Sequence, residues 1–191
     1  MTRSVTAHLF SSVNGVNESP HLFQFDAFGP EEGEAMGKAL AGVTDVVIGR
    51  TLWSEWSEYW PNSADDGFGD FINPVRKHVI SSTLGGDLGW NSTLVEGDPV
   101  EYVRSLAAGD GGGITVAGGI ETVRTLFLGG VVDTLTLTMH PAVTGEGRRV
   151  FDESVPLTRL QLVESQVHLG RQCDAHLRIA RLTDRVRGGG R

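Results

Sequence analysis

Cysteine is almost missing from this sequence: Cys173 stands alone among 191 residues. A single thiol excludes an intramolecular disulfide and argues against a cysteine-built metal site. The six histidines show no close ligand spacing, so metal chemistry has no support either. Long apolar runs are lacking. Nothing approaches the ~20 residues that span a bilayer, and Met1 to His8 has no apolar signal-peptide core. Basic charge is short too, with 16 Lys and Arg against 24 Asp and Glu and a formal net charge of -8. That balance argues against general affinity for nucleic acid, which needs a concentrated basic surface. A pocket with one or two cations for a phosphate stays open. These absences lead us to expect a cytoplasmic protein with neither a membrane nor a nucleic-acid partner.

The apolar patterning that is present predicts alternating strands and helices. Val5 to Val13 reads as an opening strand, stopped by the turn-prone Asn14-Gly15. Glu31 to Leu40 reads as a helix with acids in its first turn and Gly42 as its cap. Val43 to Ile48 is nearly continuous in apolar residues, as in a strand covered on both faces. Thr51 to Trp60 is expected to be helical, with Trp53, Trp56 and Trp60 filling a core. Asp98-Pro99-Val100-Glu101 carries an N-cap, a proline at the first helical position and a capping-box acid. Leu135, Leu137 and Met139 alternate with Thr134, Thr136 and Thr138, a half-exposed strand with the threonines outward. Leu160 to Leu169 and Cys173 to Leu182 close the chain as further strands. The expectation is one α/β domain over residues 1–186, with a tail at 187–191 and a mainly parallel sheet edged by antiparallel strands.

Neither a G-x-G-x-x-G fingerprint nor a Walker lysine occurs, and the glycines at 111–113 precede their strand instead of following it. Three other strand ends carry candidate phosphate stations. They are Gly49-Arg50-Thr51, the hydroxyl cluster Ser81-Ser82-Thr83, and Gly118-Gly119-Ile120-Glu121-Thr122, where a Gly-Gly turn would open a helix amide terminus to a ligand. Each alone is an ordinary turn. Parallel strands place their C-terminal ends along one crevice, which joins the three. Ser12 lacks a nucleophile elbow, so hydrolase chemistry is not indicated. His140 falls on the threonine face of its strand and reads as a hydrogen-bonded strand-end residue.

Taken in order, Ser11-Ser12-Val13-Asn14-Gly15, Val47-Ile48-Gly49-Arg50, Tyr59-Trp60-Pro61 and Val79-Ile80-Ser81-Ser82-Thr83-Leu84 form a recognisable series. With Gly118-Gly119, Leu126, Val132-Asp133, His140-Pro141 and Gly145-Glu146-Gly147, it resembles the dihydrofolate-reductase-like proteins. The nearest branch is the reductase domain of the riboflavin-biosynthesis deaminase–reductases, in single-domain form. The resemblance implies a three-layer α/β sandwich, an NADPH cofactor and a homodimer. It places Arg50, Ser81 and Ser82 on the 2′-phosphate and Gly118, Gly119, Ile120, Glu121 and Thr122 on the pyrophosphate. Ser12, Val13, Gly49 and Thr51 would also border the cofactor. The substrate would lie between Asn14 and the segment from Phe25 to Glu31, with Asn14 and Phe25 as contacts. Asp26 or Glu31 would orient the water that supplies the proton.

This sequence departs from the branch at Leu52, where threonine is usual, and at Asn14, where aspartate is common. Ala117 replaces an acid before the Gly-Gly. The expected reaction is reduction of 5-amino-6-(5-phosphoribosylamino)uracil. The alternatives are a dihydrofolate or pteridine reductase and an NADPH-binding protein without turnover.

Overall fold

The computed structural model describes residues 2–24, 29–64, 66–168 and 172–180. The strands are β1 (Val5–Ser12), β2 (Val43–Gly49), β3 (Arg76–Ile80), β4 (Ser92–Val95), β5 (Gly113–Ala117), β6 (Thr134–His140), β7 (Leu160–Val167) and β8 (Cys173–Ile179). Between them run helices α1 (His21–Gln24), α2 (Pro30–Leu40), α3 (Arg50–Tyr59), α4 (Asp66–Ile72), α5 (Pro99–Ala108) and α6 (Ile120–Leu128). The strands form one eight-stranded sheet in the order β4-β3-β2-β5-β1-β6-β8-β7. β1 to β6 pair in parallel, whereas β8 is antiparallel to both its neighbours.

Successive residues of a strand point to opposite faces, and β2 shows what each face buries. Val47 joins a core with Val5, Ala7, Ile114 and Val116, roofed by Val103 of α5 and Ile120, Val123, Leu126 and Phe127 of α6. Val46 and Ile48 turn the other way and meet Val79, Ile72 and the aromatic side chains of Trp53, Trp56, Trp60 and Phe68. The sheet is therefore covered on both sides there, which is why its central strands carry so few polar residues. Each fully buried Phe or Leu side chain contributes about 1.5–3 kcal/mol. The α5 cap forms as expected: Asp98 Oδ1 accepts from the amides of Val100 and Glu101, both at 2.9 Å.

The structure revises β6. Thr138 and His140, on the supposedly outward face, are buried, while Met139 on the leucine face is 37% exposed. The reason is tertiary: β6 lies between β1 and β8, whose polar and aromatic side chains cover the threonine face. β7, at the sheet edge, leaves Leu162, Val163 and Val167 more than half exposed. Two short helices, α1 and α4, had no clear signal in the sequence. Lys77 is fully buried on β3, with Nζ donating to the Asn73 carbonyl at 2.8 Å and lying 4.1 Å from the Trp90 ring centre. Burial lowers its pKa to about 8.

At the N-terminal ends of the strands a charge network closes on Asp45, which is fully buried. Its carboxylate accepts from Arg3, from Arg76 Nη2 at 2.9 Å, from Thr44 Oγ1 at 2.7 Å and meets His78 Nε2 at 2.9 Å. Arg3 Nε also donates to the Gly112 carbonyl at 2.6 Å. Burial by itself would raise the Asp45 pKa. Hydrogen bonds from His78, Thr44 and Arg3, with the Arg3 charge, outweigh that and hold it at about 2. A side chain at Gly112 would come within 2.1 Å of the Gly42 carbonyl, so the glycine run before β5 serves this packing.

Candidate functional site

The opposite edge of the sheet gathers the C-terminal ends of β2, β3 and β5. Gly49 pairs with Ile80, and Ile48 with Ala117, so Arg50 leaves β2 between Ser81 and Gly118. Arg50, Ser81 and Ser82 line one depression of about 370 Å³ with Ile80, Val95, Gly97 and Pro99. Among the described residues no carboxylate pairs with Arg50, which is exposed. Ser81 Oγ accepts from the amides of Thr83 and Leu84 at 3.1 and 3.0 Å and lies 3.5 Å from Thr83 Oγ1, contacts that shape the turn. The Gly97–Pro99 side of the depression was not singled out in the sequence. Its only local signal was the Asp98-Pro99 helix start. A wider depression of about 600 Å³, lined by Glu55, Trp56, Glu58, Tyr59 and Trp60, holds no cation for a phosphate.

Gly118 and Gly119 turn the chain from β5 into α6 with φ of +43° and +70°, in the left-handed region that favours glycine. No side chain caps α6, so its first amides keep their donors. Two of the glycines have packing reasons of their own. A Cβ on Gly49 would lie 2.5 Å from Thr122 Oγ1, and one on Gly118 would lie 2.6 Å from Leu52 Cδ2. Gly119 is exposed, and a Cβ there would make only ordinary contact with Thr122. Glu121, in the first turn of α6, pairs with Arg124 at 3.3 Å. Thr51 is exposed on the first turn of α3.

The end of β1 forms a separate group. Ser12 is 1% exposed, and its hydroxyl donates to Asn14 Oδ1 at 2.9 Å while accepting from the Val16 amide at 3.0 Å. Asn14 Oδ1 also accepts from the Thr144 amide at 3.1 Å, and Asn14 Nδ2 donates to the Thr144 carbonyl at 2.8 Å. That carboxamide ties β1 to the loop after β6 and retains one N–H. Val13 is 64% exposed. Glu31 is exposed on α2, and Phe25 and Asp26 lie outside the described residues. Register adds a further point: His8, not Ser12, stands opposite Ala117, so the β1 terminus reaches four residues past the end of the paired segment of β5.

A buried polar chain crosses the sheet beside this point. His8 Nε2 meets Thr138 Oγ1 at 2.7 Å, and the Thr138 hydroxyl donates to Asp174 Oδ1. His168 Nε2 meets Asp174 Oδ2 at 2.9 Å, and Thr136 Oγ1 meets His176 Nδ1 at 3.0 Å. The His140 ring lies 5.6 Å from Phe10 and 5.8 Å from Phe23, centre to centre. Sequence reading missed this assembly, because its members meet only when β1, β6 and β8 are paired. Among the described residues no three His, Cys, Asp or Glu side chains converge as metal ligands, and no helix is long and apolar enough to cross a membrane.

The chain is similar to known proteins in sequence family and in fold. The family model described as the RibD C-terminal domain matches residues 3–172. A protein of Shewanella sp. PV-4 assigned to riboflavin biosynthesis superposes with a TM-score of 0.73 at 18% identity, covering 93% of this chain and 99% of that one. The deaminase/5-amino-6-(5-phosphoribosylamino)uracil reductase of Thermotoga maritima gives 0.63 at 16% identity, over 94% of this chain and 57% of that one. Dihydrofolate reductase of Enterococcus faecalis, solved with NADP(H), gives 0.57 at 16% identity, over 95% and 100%. The fold is the dihydrofolate-reductase-like α/β sandwich.

Proposed function

This chain belongs to the RibD C-terminal domain family, a family of reductase domains, and on that premise we propose that it is an NADPH-dependent reductase of a small heterocyclic or carbonyl substrate. One observation carries the cofactor reading: Arg50, Ser81 and Ser82 share a depression at the same strand ends as the uncapped start of α6. An exposed guanidinium flanked by two hydroxyls suits the 2′-phosphate, which separates NADPH from NADH. The α6 amides at Ile120, Glu121 and Thr122, reached over exposed Gly119, suit a pyrophosphate. The residues present therefore fit the group. NADPH supplies a hydride, and reduction of a C=N or C=O bond takes one further proton.

The remaining assignments belong to the same reading. Gly49, Thr51, Ser12 and Val13 would border the cofactor, Ser12 through its backbone because its hydroxyl is engaged. Asn14 would offer the substrate its remaining N–H, beside Phe25, and Asp26 or Glu31 would orient the proton-delivering water. The substrate in this reading is 5-amino-6-(5-phosphoribosylamino)uracil, the compound named for the Thermotoga neighbour. The exposed Leu162, Val163 and Val167 of the β7 edge support a homodimer, which analytical ultracentrifugation tests.

The decisive experiment is thermal melting with NADPH and with NADH, followed by NADPH oxidation with that substrate and with dihydrofolate. A larger rise in Tm with NADPH and oxidation with the pyrimidine support the proposal. Oxidation with dihydrofolate alone makes the protein a pteridine reductase. A rise in Tm without oxidation by either makes it a cofactor-binding protein, and no rise with NADPH removes the cofactor reading.

A further inference from the structure

Tyr59-Trp60-Pro61 lies at the far end of α3 from Arg50, about 13 Å along the helix, where a short 3₁₀ turn over Trp60–Asn62 begins. The depression of about 600 Å³ at that end is lined by Glu55, Trp56, Glu58, Tyr59 and Trp60. Its charge is one-sided. Glu55 and Glu58 stand three residues apart on one helix, so the two carboxylates repel. Glu58 also sits in the last turn, where the helix dipole favours a cation, and that turn contains no basic residue. Among the described residues no arginine, lysine or histidine pairs with either carboxylate. A bound cation would relieve all three misfits.

The aromatic wall suits the same charge. Trp56 and Tyr59 stand nearly perpendicular to Trp60, at 88° and 85°, with ring centres 6.2 and 5.0 Å from it. Tyr59 is 57% exposed, and the face of an aromatic ring attracts a cation within about 6 Å of its centre. The protein already uses this chemistry internally, with Lys77 over Trp90. Trp60 Nε1 is buried with no acceptor among the described residues, an unmet donor on a residue of this wall.

The mixture of rings and carboxylates selects among cations. An inorganic ion would find only two carboxylates, and an ammonium is compact and strongly hydrated, with no plane to lay on a ring. A guanidinium is planar, weakly hydrated and stacks on aromatic faces while its N–H groups fork onto carboxylates. We infer that the end of α3 is a binding site for a guanidinium group, held against Trp56, Tyr59 and Trp60 with its N–H groups on Glu55 and Glu58. The inference is independent of the reductase reading. The ligand is free arginine or an arginine side chain of a polypeptide. This chain carries Arg181, Arg185, Arg187 and Arg191 outside the described residues.

The test is 1H–15N spectroscopy of the full chain, with the indole N–H signals assigned by single Trp→Phe variants. The probes are L-arginine and acetyl-Gly-Arg-Gly-amide, with their citrulline counterparts as uncharged controls. The arginine probes are expected to move the Trp56 and Trp60 signals. Those of Trp53 and Trp90, which donate to Ser92 Oγ and Asn73 Oδ1, should stay in place. Glu55→Gln with Glu58→Gln should weaken the probe about 2- to 30-fold, without lowering Tm or changing the NADPH Kd. A response to L-arginine alone makes the ligand a small molecule, and a response to the peptide alone makes it a polypeptide. If the wild type is silent but the variant with all four of Arg181, Arg185, Arg187 and Arg191 changed to Gln responds, the chain's own arginines fill the site. Silence in both proteins, an equal response to citrulline, or unchanged affinity in the double Gln variant overturns the inference.

Discussion

At the N-terminal ends of the strands, Arg3, Thr44, Asp45, Arg76 and His78 close on one another, whereas at the C-terminal ends Arg50 is exposed and meets no carboxylate among the described residues. Both ends hold an arginine beside hydroxyl and glycine residues, and composition alone does not separate them. What separates them is satisfaction. Every group around Asp45 has an internal partner, so that end holds strands together. At the other end a cation, two serines and a helix start keep unused hydrogen-bonding capacity, which is what a phosphate ligand requires.

Removing the centre of the closed network should have the largest effect. Asp45→Ala strands Arg3 beneath α5 and is expected to cost about 3–5 kcal/mol in urea unfolding. A loss below 1 kcal/mol would erase the distinction between the two ends. Arg50→Ala should do the reverse. Its Tm stays near wild type, while NADPH affinity falls by about 1.5–3 kcal/mol and NADH affinity holds, as titration calorimetry would show. Equal losses for both cofactors would take Arg50 off the 2′-phosphate.

Gly118→Ala tests whether the open end is also built tightly. With φ at +43° and Leu52 Cδ2 at 2.6 Å from an added Cβ, it should lose about 1–3 kcal/mol of stability. The pair Gly118→Ala with Leu52→Ala should show a favourable coupling in a double-mutant cycle, because the clash is then gone.

The remaining effect is a slope with pH. His8 is held at about 4 in the folded protein against 6.5 in the open chain. The unfolded state then binds the extra proton first, so stability is full above pH 6.5 and declines as pH falls toward 4. Asp45 works the same way further down. Its contribution is present above the ordinary value of 3.8 and is lost as pH falls toward 2. Denaturant midpoints between pH 7 and 4 should fall in the wild type and fall less in His8→Gln. Identical curves would contradict the lowered pKa of His8.

Local chemistry made much of this architecture readable. The continuous apolar run of β2, the Asp98-Pro99 cap and the Gly118-Gly119 turn each act within a few residues, and each forms as the sequence implies. Arg50, Ser81 and Ser82 were also readable as strand-end residues, and parallel pairing brings them together. β6 was misjudged because the burial of Thr138 and His140 depends on Phe10, Phe23 and Asp174, residues distant in sequence. His8 carried no local signal. Its place beside Ala117 follows from β5 slotting in between β2 and β1, which no periodicity within either strand encodes.

That insertion has a consequence for synthesis. β1 comes first in the chain yet sits inside the sheet, with Val5 paired to Ile114 and Thr6 to Thr134. At ~5–20 residues per second, the first strand waits roughly 5 to 20 seconds for either partner to be made. Through that interval Val5, Ala7 and Leu9 lack Ile114 and Val116 of β5 and the α6 side chains that complete their core. The nascent protein therefore carries an unpaired, alternating apolar strand, the kind of segment that chaperones bind and that pairs with other chains when it is crowded.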